Sequence, residues 1–139
     1  MRVYLDSSAI LKRVLGETES PALDEEVRRR LGGSDILLSS ALATIEVGRA
    51  LRSRIDELGP VAAANLTDEA LEGIAECGIS EQVISLARRL GPPSLRSLDA
   101  IHLATASIVA ADVVIAYDER LLRAASELGF RTASPGVAA

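Results

Sequence analysis

Four carboxylates stand where an acidic cluster could be assembled: Asp6 in "RVYLDSS", Glu46 in "ATIEVGRA", Asp99 in "SLDAIHLATA" and Asp118 in "VVIAYDER". Asp6 and Asp118 each end a short β-prone run and are followed at once by helix-forming sequence. In a parallel sheet both would lie at the carboxyl ends of strands, where the functional crevice forms. Asp112 falls at the opposite end of its strand and is excluded. Asp99 sits in the first turn of a mostly apolar helix with Ser97 as its expected N-cap, a place where the helix dipole alone favours an acid by about 0.3–1 kcal/mol. Glu46 lies mid-helix beside the apolar stripe Val47, Leu51, Ile55 and Leu58, and the small neighbours Ala43 and Ala50 leave room for its carboxylate to lean inward. Singly, each has an ordinary account: a helix-end acid for Asp99, a surface pair with Arg49 or Arg54 for Glu46.

Together they ask for more. Two carboxylates about 4 Å apart repel by roughly 4 kcal/mol at an effective dielectric of about 20, so a cluster persists by sharing protons or by binding a cation. Hard oxygen donors with water positions left open suit Mg2+ or Mn2+. Such an ion can activate a water and clamp a phosphate for in-line attack. Ser7 and Ser8 are expected to cap the first helix and to hydrogen-bond Asp6. His102, one turn after Asp99, reads as a hydrogen-bonded structural histidine rather than a general base.

The elements that must position these groups alternate along the chain. "RVYL" at 2–5 is a strand that feeds a helix reaching about Leu15, and a second helix covers 21–31, opened by Pro21 and closed by Gly32-Gly33. "DILLSS" is a strand whose Ser39 or Ser40 caps a helix running to about Leu58, and a further helix covers 61–74. "AECGI" is a weak strand, and "SEQVISLARRLG" a helix with Ser80 as cap and Gly91 as stop. Gly91-Pro92-Pro93 forces a loop before the helix of Asp99. "DVVIAY" is a buried strand, "DERLLRAASELG" the last helix and "FRTAS" an edge strand. Short strands separated by helices predict an α/β fold, a three-layer α/β/α sandwich with a mainly parallel central sheet. The predicted organisation is one domain over residues 1–133 and a flexible tail over 134–139.

Composition narrows the function classes. With 139 residues, 48% of them hydrophobic and 25% charged, the chain can bury a core of its own. Fifteen basic residues against twenty acidic ones give a net charge of −5, which excludes a protein that holds nucleic acid through a general positive field; any such contact is local. Arginines cluster at 28–30, at 49, 52 and 54, and at 88–89, each readable as a solvated helix face or a phosphate track. The lone Cys77 has no disulfide partner, and Asp6 interrupts what a signal peptide would need as its apolar centre, so the cytoplasm is the expected compartment. The run "AIHLATASIVAADVVIAY" is broken by His102 and Asp112, and no membrane span is expected.

The stretches "VYLDSSAILK", "SSALATIEVGRAL", "LRSLDAIHLATA" and "VVIAYDERLLRAA" together resemble the PIN-domain ribonucleases, and most closely the VapC-type toxins of bacterial toxin–antitoxin pairs, in order from Arg2 to about Phe130. The resemblance implies a PIN-like, Rossmann-like sandwich in which Asp6, Glu46, Asp99 and Asp118 are the four acidic catalytic positions. They would hold one or two divalent ions, Mg2+ or Mn2+, with Asp6 and Asp99 as the most regular ligands. It implies endoribonuclease action on RNA (tRNA, rRNA or mRNA), a homodimer or toxin–antitoxin hetero-oligomer, and a small VapB-like antitoxin whose tail covers the site. One departure is Ala116, where many members carry Thr or Ser. Leu42 and Ile45, read as pointing away from the main stripe of their helix, are expected at an interface.

Rival folds fit less well. An RNase H-like nuclease continues from its first acid into antiparallel strands, whereas two helices follow Asp6. A phosphoaspartyl phosphatase needs an aspartate where Ser8 stands, and a response-regulator receiver needs a late lysine, yet none follows Lys12. The remaining alternative is a PIN-like RNA- or protein-binding module with little or no catalysis, against which the four carboxylates weigh.

Overall fold

The protein is described by a computed structural model over residues 1–138. Its first strand, β1 (Arg2–Leu5), passes directly into α1 (Ser7–Leu15), followed by α2 (Ser20–Leu31), β2 (Ile36–Ser40), α3 (Ala41–Arg52), the single turn α4 (Ile55–Leu58) and α5 (Pro60–Leu71). Then come β3 (Ile74–Cys77), α6 (Glu81–Ala87), α7 (Ser97–Ile108), β4 (Val113–Ile115), α8 (Glu119–Glu127) and β5 (Arg131–Ala133). The strands form one sheet in the order β3-β2-β1-β4-β5, every neighbouring pair parallel. Strand order turns back at β1, so the point between β1 and β4 is where loops leave in opposite directions and a crevice must open.

Period-two alternation sorts the side chains into two layers. Val3, Leu5, Val113 and Ile115 face α1, α2 and α3, packing with Ile10, Leu23, Val27, Val47 and Leu51. Tyr4, Val114 and Ala116 face the other way, onto Leu103 and Ala106 of α7 and Leu121, Ala124 and Ala125 of α8. Strands covered on both faces are apolar at nearly every position, which is why "VYL" and "VVIA" read as continuous runs. The expected three-layer α/β/α sandwich is what forms.

Several boundaries differ from those expected. The α3 helix stops at Arg52 rather than near Leu58. Ser53 donates its hydroxyl to the Ala50 carbonyl while its N–H returns to Arg49, a local arrangement that competes with continuing the helix. The apolar stripe was therefore not one stripe: Val47 and Leu51 are buried, Leu58 is exposed. Leu42, expected at an interface, is buried with 9% of its surface exposed, while Ile45 stays 55% exposed. That pairing is overturned because α3 is packed by α1, α5, α7 and the sheet, so more than one of its faces is inside. Helix α6 ends at Ala87, short of Gly91.

After β5 the chain runs back over α2. Ser134 donates to the Ala116 carbonyl and the Tyr117 hydroxyl to the Pro135 carbonyl at 2.7 Å each. Gly136, at φ 88°, lies so close to α2 that a side chain there would meet Glu19 Cα at 3.0 Å. Ala139, the end of the expected tail, lies outside the described residues. Among those described, no helix is long and apolar enough to cross a membrane.

The fully buried Leu103 joins α7 to the sheet. Leu103→Ala is expected to lower the free energy of unfolding by about 2–5 kcal/mol in urea titrations. Ile84→Ala, at a side chain 51% exposed, should stay within about 0.5 kcal/mol of the parent.

Candidate active site

Beyond the carboxyl ends of β1 and β4 lies a cavity of about 470 Å³, lined by Asp6, Ser7, Ser8, Glu46, Asp99, His102 and Asp118, with Arg96 at its edge. Every acidic residue singled out in the sequence reaches it. Asp6 is held first by the backbone: β1 ends there, its N–H bonded to the Ile115 carbonyl at 3.2 Å, and the extended residue caps α1. Its Oδ1 accepts from the Ala9 N–H at 2.9 Å and the Ser8 hydroxyl at 2.6 Å. Asp6, not Ser7 or Ser8, is thus the N-cap, because the strand leaves no intervening residue and the carboxylate is the better acceptor for a free helix N–H. Ser8 also accepts from the Tyr117 N–H at 2.9 Å, tying the chain after β4 to the first turn of α1.

Asp118 repeats the device on α8, where Oδ1 accepts from the N–H groups of Arg120 at 2.9 Å and Leu121 at 3.1 Å. Asp99 is the third residue of α7 and is buried; the N-cap is Arg96, without a side-chain cap bond, and Ser97 is the first helical residue rather than the cap. Arg96 spans the two acids, Nε at 3.1 Å from Asp99 Oδ2 and Nη2 at 3.2 Å from Asp118 Oδ2.

Glu46 leans inward as its small neighbours allow, and pairs with neither Arg49 nor Arg54. Its Oε1 accepts from the Ser7 hydroxyl at 2.5 Å and from His102 Nε2 at 2.7 Å. On the far side of the ring, His102 Nδ1 stands 2.7 Å from the Tyr4 hydroxyl. A carboxylate can only accept, which puts a hydrogen on Nε2. Burial pushes the Tyr4 phenol far above its ordinary range, so it remains an O–H donor toward Nδ1. The chain Tyr4–His102–Glu46–Ser7 therefore runs from the core to the cavity wall, and the buried His102 serves as its hydrogen-bonded middle. Ser8 bonds Asp6 as expected; Ser7 bonds Glu46 instead.

Electrostatics separate the acids. Burial raises the Asp6 carboxyl above the ordinary aspartate range; the Ser8 and Ala9 hydrogen bonds and the nearby His102 oppose the shift, and Asp118 adds to it. Burial also pushes Glu46 upward, but the bonds from His102 and Ser7 outweigh it and hold the carboxyl below its usual value. Asp6 Oδ2, Glu46 Oε2 and Asp99 Oδ1 take no hydrogen bond from any described residue. Each of these acids is held through one oxygen, and all three residues line the cavity. No three acidic or histidine side chains among the described residues are near enough to share one ion in this arrangement; Arg96 is the cation between Asp99 and Asp118. The donor type is that of a hard divalent cation, because Asp6, Glu46 and Asp99 line one cavity and each has a carboxylate oxygen free of protein hydrogen bonds among the described residues. Ala116 does not line the cavity: it is wholly buried in the layer of Tyr4 and Leu103.

Two members of this arrangement were missed by sequence reasoning. Tyr4 looked like any strand residue in a core. Arg96 stood three residues before Asp99, a spacing that could have suggested a pair, but nothing local indicated its reach to Asp118.

The model of the PIN domain matches residues 3–127 of this chain. Ribonuclease VapC47 of Mycobacterium tuberculosis is 36% identical over 136 residues, covering 96% of this chain and 97% of the relative. Ribonuclease VapC46 of the same species is 40% identical over 135 residues, with coverage of 96% and 97%. The chain belongs to the PIN-domain family of VapC ribonucleases. Solved structures agree in fold: VapBC2 from Rickettsia felis, bound to a DNA fragment from their promoter, with TM-score 0.74 at 9% identity over 96% of this chain and 98% of that one. The sarcin-ricin loop cleaving toxin VapC20 of M. tuberculosis gives TM-score 0.65 at 13% identity over 92% and 95%.

The elevated Asp6 carboxyl of this PIN domain has a stability consequence. A folded-state pKa above the unfolded value means that the native chain binds the proton more tightly, so stability falls as pH rises from about 4, the unfolded aspartate value, through the folded pKa. Asp6→Asn keeps an oxygen for the Ala9 N–H and removes the charge. In chelator it should be more stable than the parent at pH 7, with the advantage narrowing toward pH of about 4; urea titrations across that range check it.

Proposed function

We propose that this VapC ribonuclease is a Mg2+- or Mn2+-dependent endoribonuclease that hydrolyses RNA phosphodiester bonds and is restrained by a small VapB-like antitoxin. The observation that carries the reading is the set of acids on one cavity at the β1/β4 switch point, three of them with an oxygen left for a ligand. A bound divalent ion supplies Lewis-acid polarisation of a phosphate oxygen and a water of lowered pKa. Asp6 and Asp99 are its principal holders, with Glu46 and Asp118 completing the acidic set.

The chain's own groups prepare the site. Ser8 and the α1 N-terminus hold Asp6 through Oδ1, which leaves Oδ2 available to a ligand. His102 and Ser7 keep Glu46 ionised and fix its rotamer, leaving Oε2 to a ligand or to a proton of an attacking water. Asp6 and Asp99 are both buried, which limits the access of bulk water to these two acids. Residues 1–133 act as one nuclease domain in this reading, assembled as a homodimer or with the antitoxin in the cytoplasm. Support for RNA as substrate comes from the ribonuclease relatives, and support for an antitoxin from the VapBC designation of structures sharing the fold.

The test incubates purified protein with structured RNA and Mg2+ or Mn2+, beside EDTA and beside Asp6→Asn and Asp99→Asn. Chelation should abolish cleavage and each variant should lower it by about a hundredfold or more. Cleavage that survives chelation, or that both variants retain, overturns the reading.

A further inference from the structure

A second cavity, of about 290 Å³, adjoins the acidic one and shares Arg96 and Asp99 with it. Its other wall is α8, which contributes Arg120, Arg123 and Glu127. Residues three apart on a helix share a face, so the two α8 guanidinium groups stand together, both exposed. Among the described residues neither the Arg120 nor the Arg123 side chain makes a hydrogen bond or an ion pair; the Arg120 backbone N–H caps α8 through Asp118. Arg96 binds the acids through Nε and Nη2, which leaves Nη1 without an acceptor among the described residues. Of the two acids on this wall, Asp99 is already engaged by Arg96, and Glu127 is the last residue of α8 and has no ion pair among the described residues.

A neighbouring cavity carries the positive surface further, since Arg88 and Arg89 line it and it shares Pro92 and Leu95 with the second. In a chain of net charge −5 this local concentration is opposite in sign to the rest of the surface and lies against the acidic site. Unpaired guanidinium groups present planar forks of donors that match phosphate oxygens. A polyanion approaching four carboxylates needs such cations beside them, because the acids repel every phosphate that a metal ion does not neutralise.

We propose that Arg120 and Arg123, together with Arg96, form a binding site for the phosphodiester backbone of single-stranded RNA next to the bond that is cut. The proposal rests on the ribonuclease reading for its ligand. Contacts of this kind hold the strand in register and carry no base information, so they serve any sequence.

The experiment measures fluorescence anisotropy of a short fluorescein-labelled single-stranded oligoribonucleotide of mixed sequence, in EDTA and over a series of KCl concentrations. Arg120→Gln/Arg123→Gln should bind about tenfold more weakly than the parent at low salt, and the slope of log affinity against log salt should flatten by about 1.4, two contacts at about 0.7 each for a single strand. Arg28→Gln/Arg52→Gln, at arginines that line cavities elsewhere, should leave both quantities unchanged. Arg120→Lys/Arg123→Lys should restore the slope, because it restores the charge. Equal affinity and slope in parent and glutamine variant overturn the proposal, as does an equal loss in the control pair. Because binding is read without metal, the outcomes separate: a parent that binds through these arginines yet cuts no RNA with Mg2+ or Mn2+ sinks the ribonuclease reading and supports this site. A parent that cuts while the glutamine variant binds unchanged sinks this site alone.

Discussion

Asp6 is a carboxylate placed at the end of the central strand with almost no access to water, and Asp118 stands near it at the end of the adjacent strand. Removing a charge from water costs several kcal/mol unless other groups replace the lost hydration. The surroundings of Asp6 replace part of it: the Ala9 N–H in the first turn of α1 and the Ser8 hydroxyl both donate to Oδ1, while the Asp6 N–H is bonded to the Ile115 carbonyl. Ser8 in turn receives the Tyr117 N–H, so the same hydroxyl that solvates Asp6 also fixes where the chain leaves β4. Strand pairing, helix start and carboxylate orientation are one coupled arrangement, and the position of the fourth acid follows from it.

The two oxygens of a carboxylate divide their tasks elsewhere around the site. Glu46 spends Oε1 on Ser7 and His102, while Asp118 spends Oδ1 on α8 and Oδ2 on Arg96. The two layers of the sandwich meet at Glu46. Its helix covers one face of the sheet, whereas His102 and Tyr4 belong to the other, so their hydrogen bonds pass around the end of the sheet where the strands stop. Arg96 supplies the compensating charge from the loop after Pro93. Because Arg96 is exposed to solvent, its ion pairs are screened and contribute little stability. Its importance is positional: one guanidinium marks the border between an acidic cavity and an arginine-lined one.

Fold class was legible because alternation of short apolar runs with helical segments permits few architectures, and a strand covered on both faces leaves an unbroken apolar signature, as in Val113–Ile115. The ends of helices were less legible. Ser53 closes α3 through a local bond that competes with helix continuation, and no apolar pattern announces it. Leu42 was misread because a helical projection assigns one buried face, while α3 is packed on several sides.

The four acids were visible by type and by their places at strand and helix ends, and sequence alone determined that Asp6 and Asp118 would share an edge of a parallel sheet, since both follow β runs and precede helices. Tertiary structure alone decided which atoms they use. Whether Ser7 turns to Asp6 or to Glu46, whether His102 meets Tyr4, and whether Arg96 reaches Asp118 depend on how α3 and α7 come together around the end of β1. Those are contacts between residues 22 to 98 positions apart. Local periodicity reports which face of an element is apolar, but the angle and height at which two elements pack are set by side chains from both, and no single stretch of sequence contains that information.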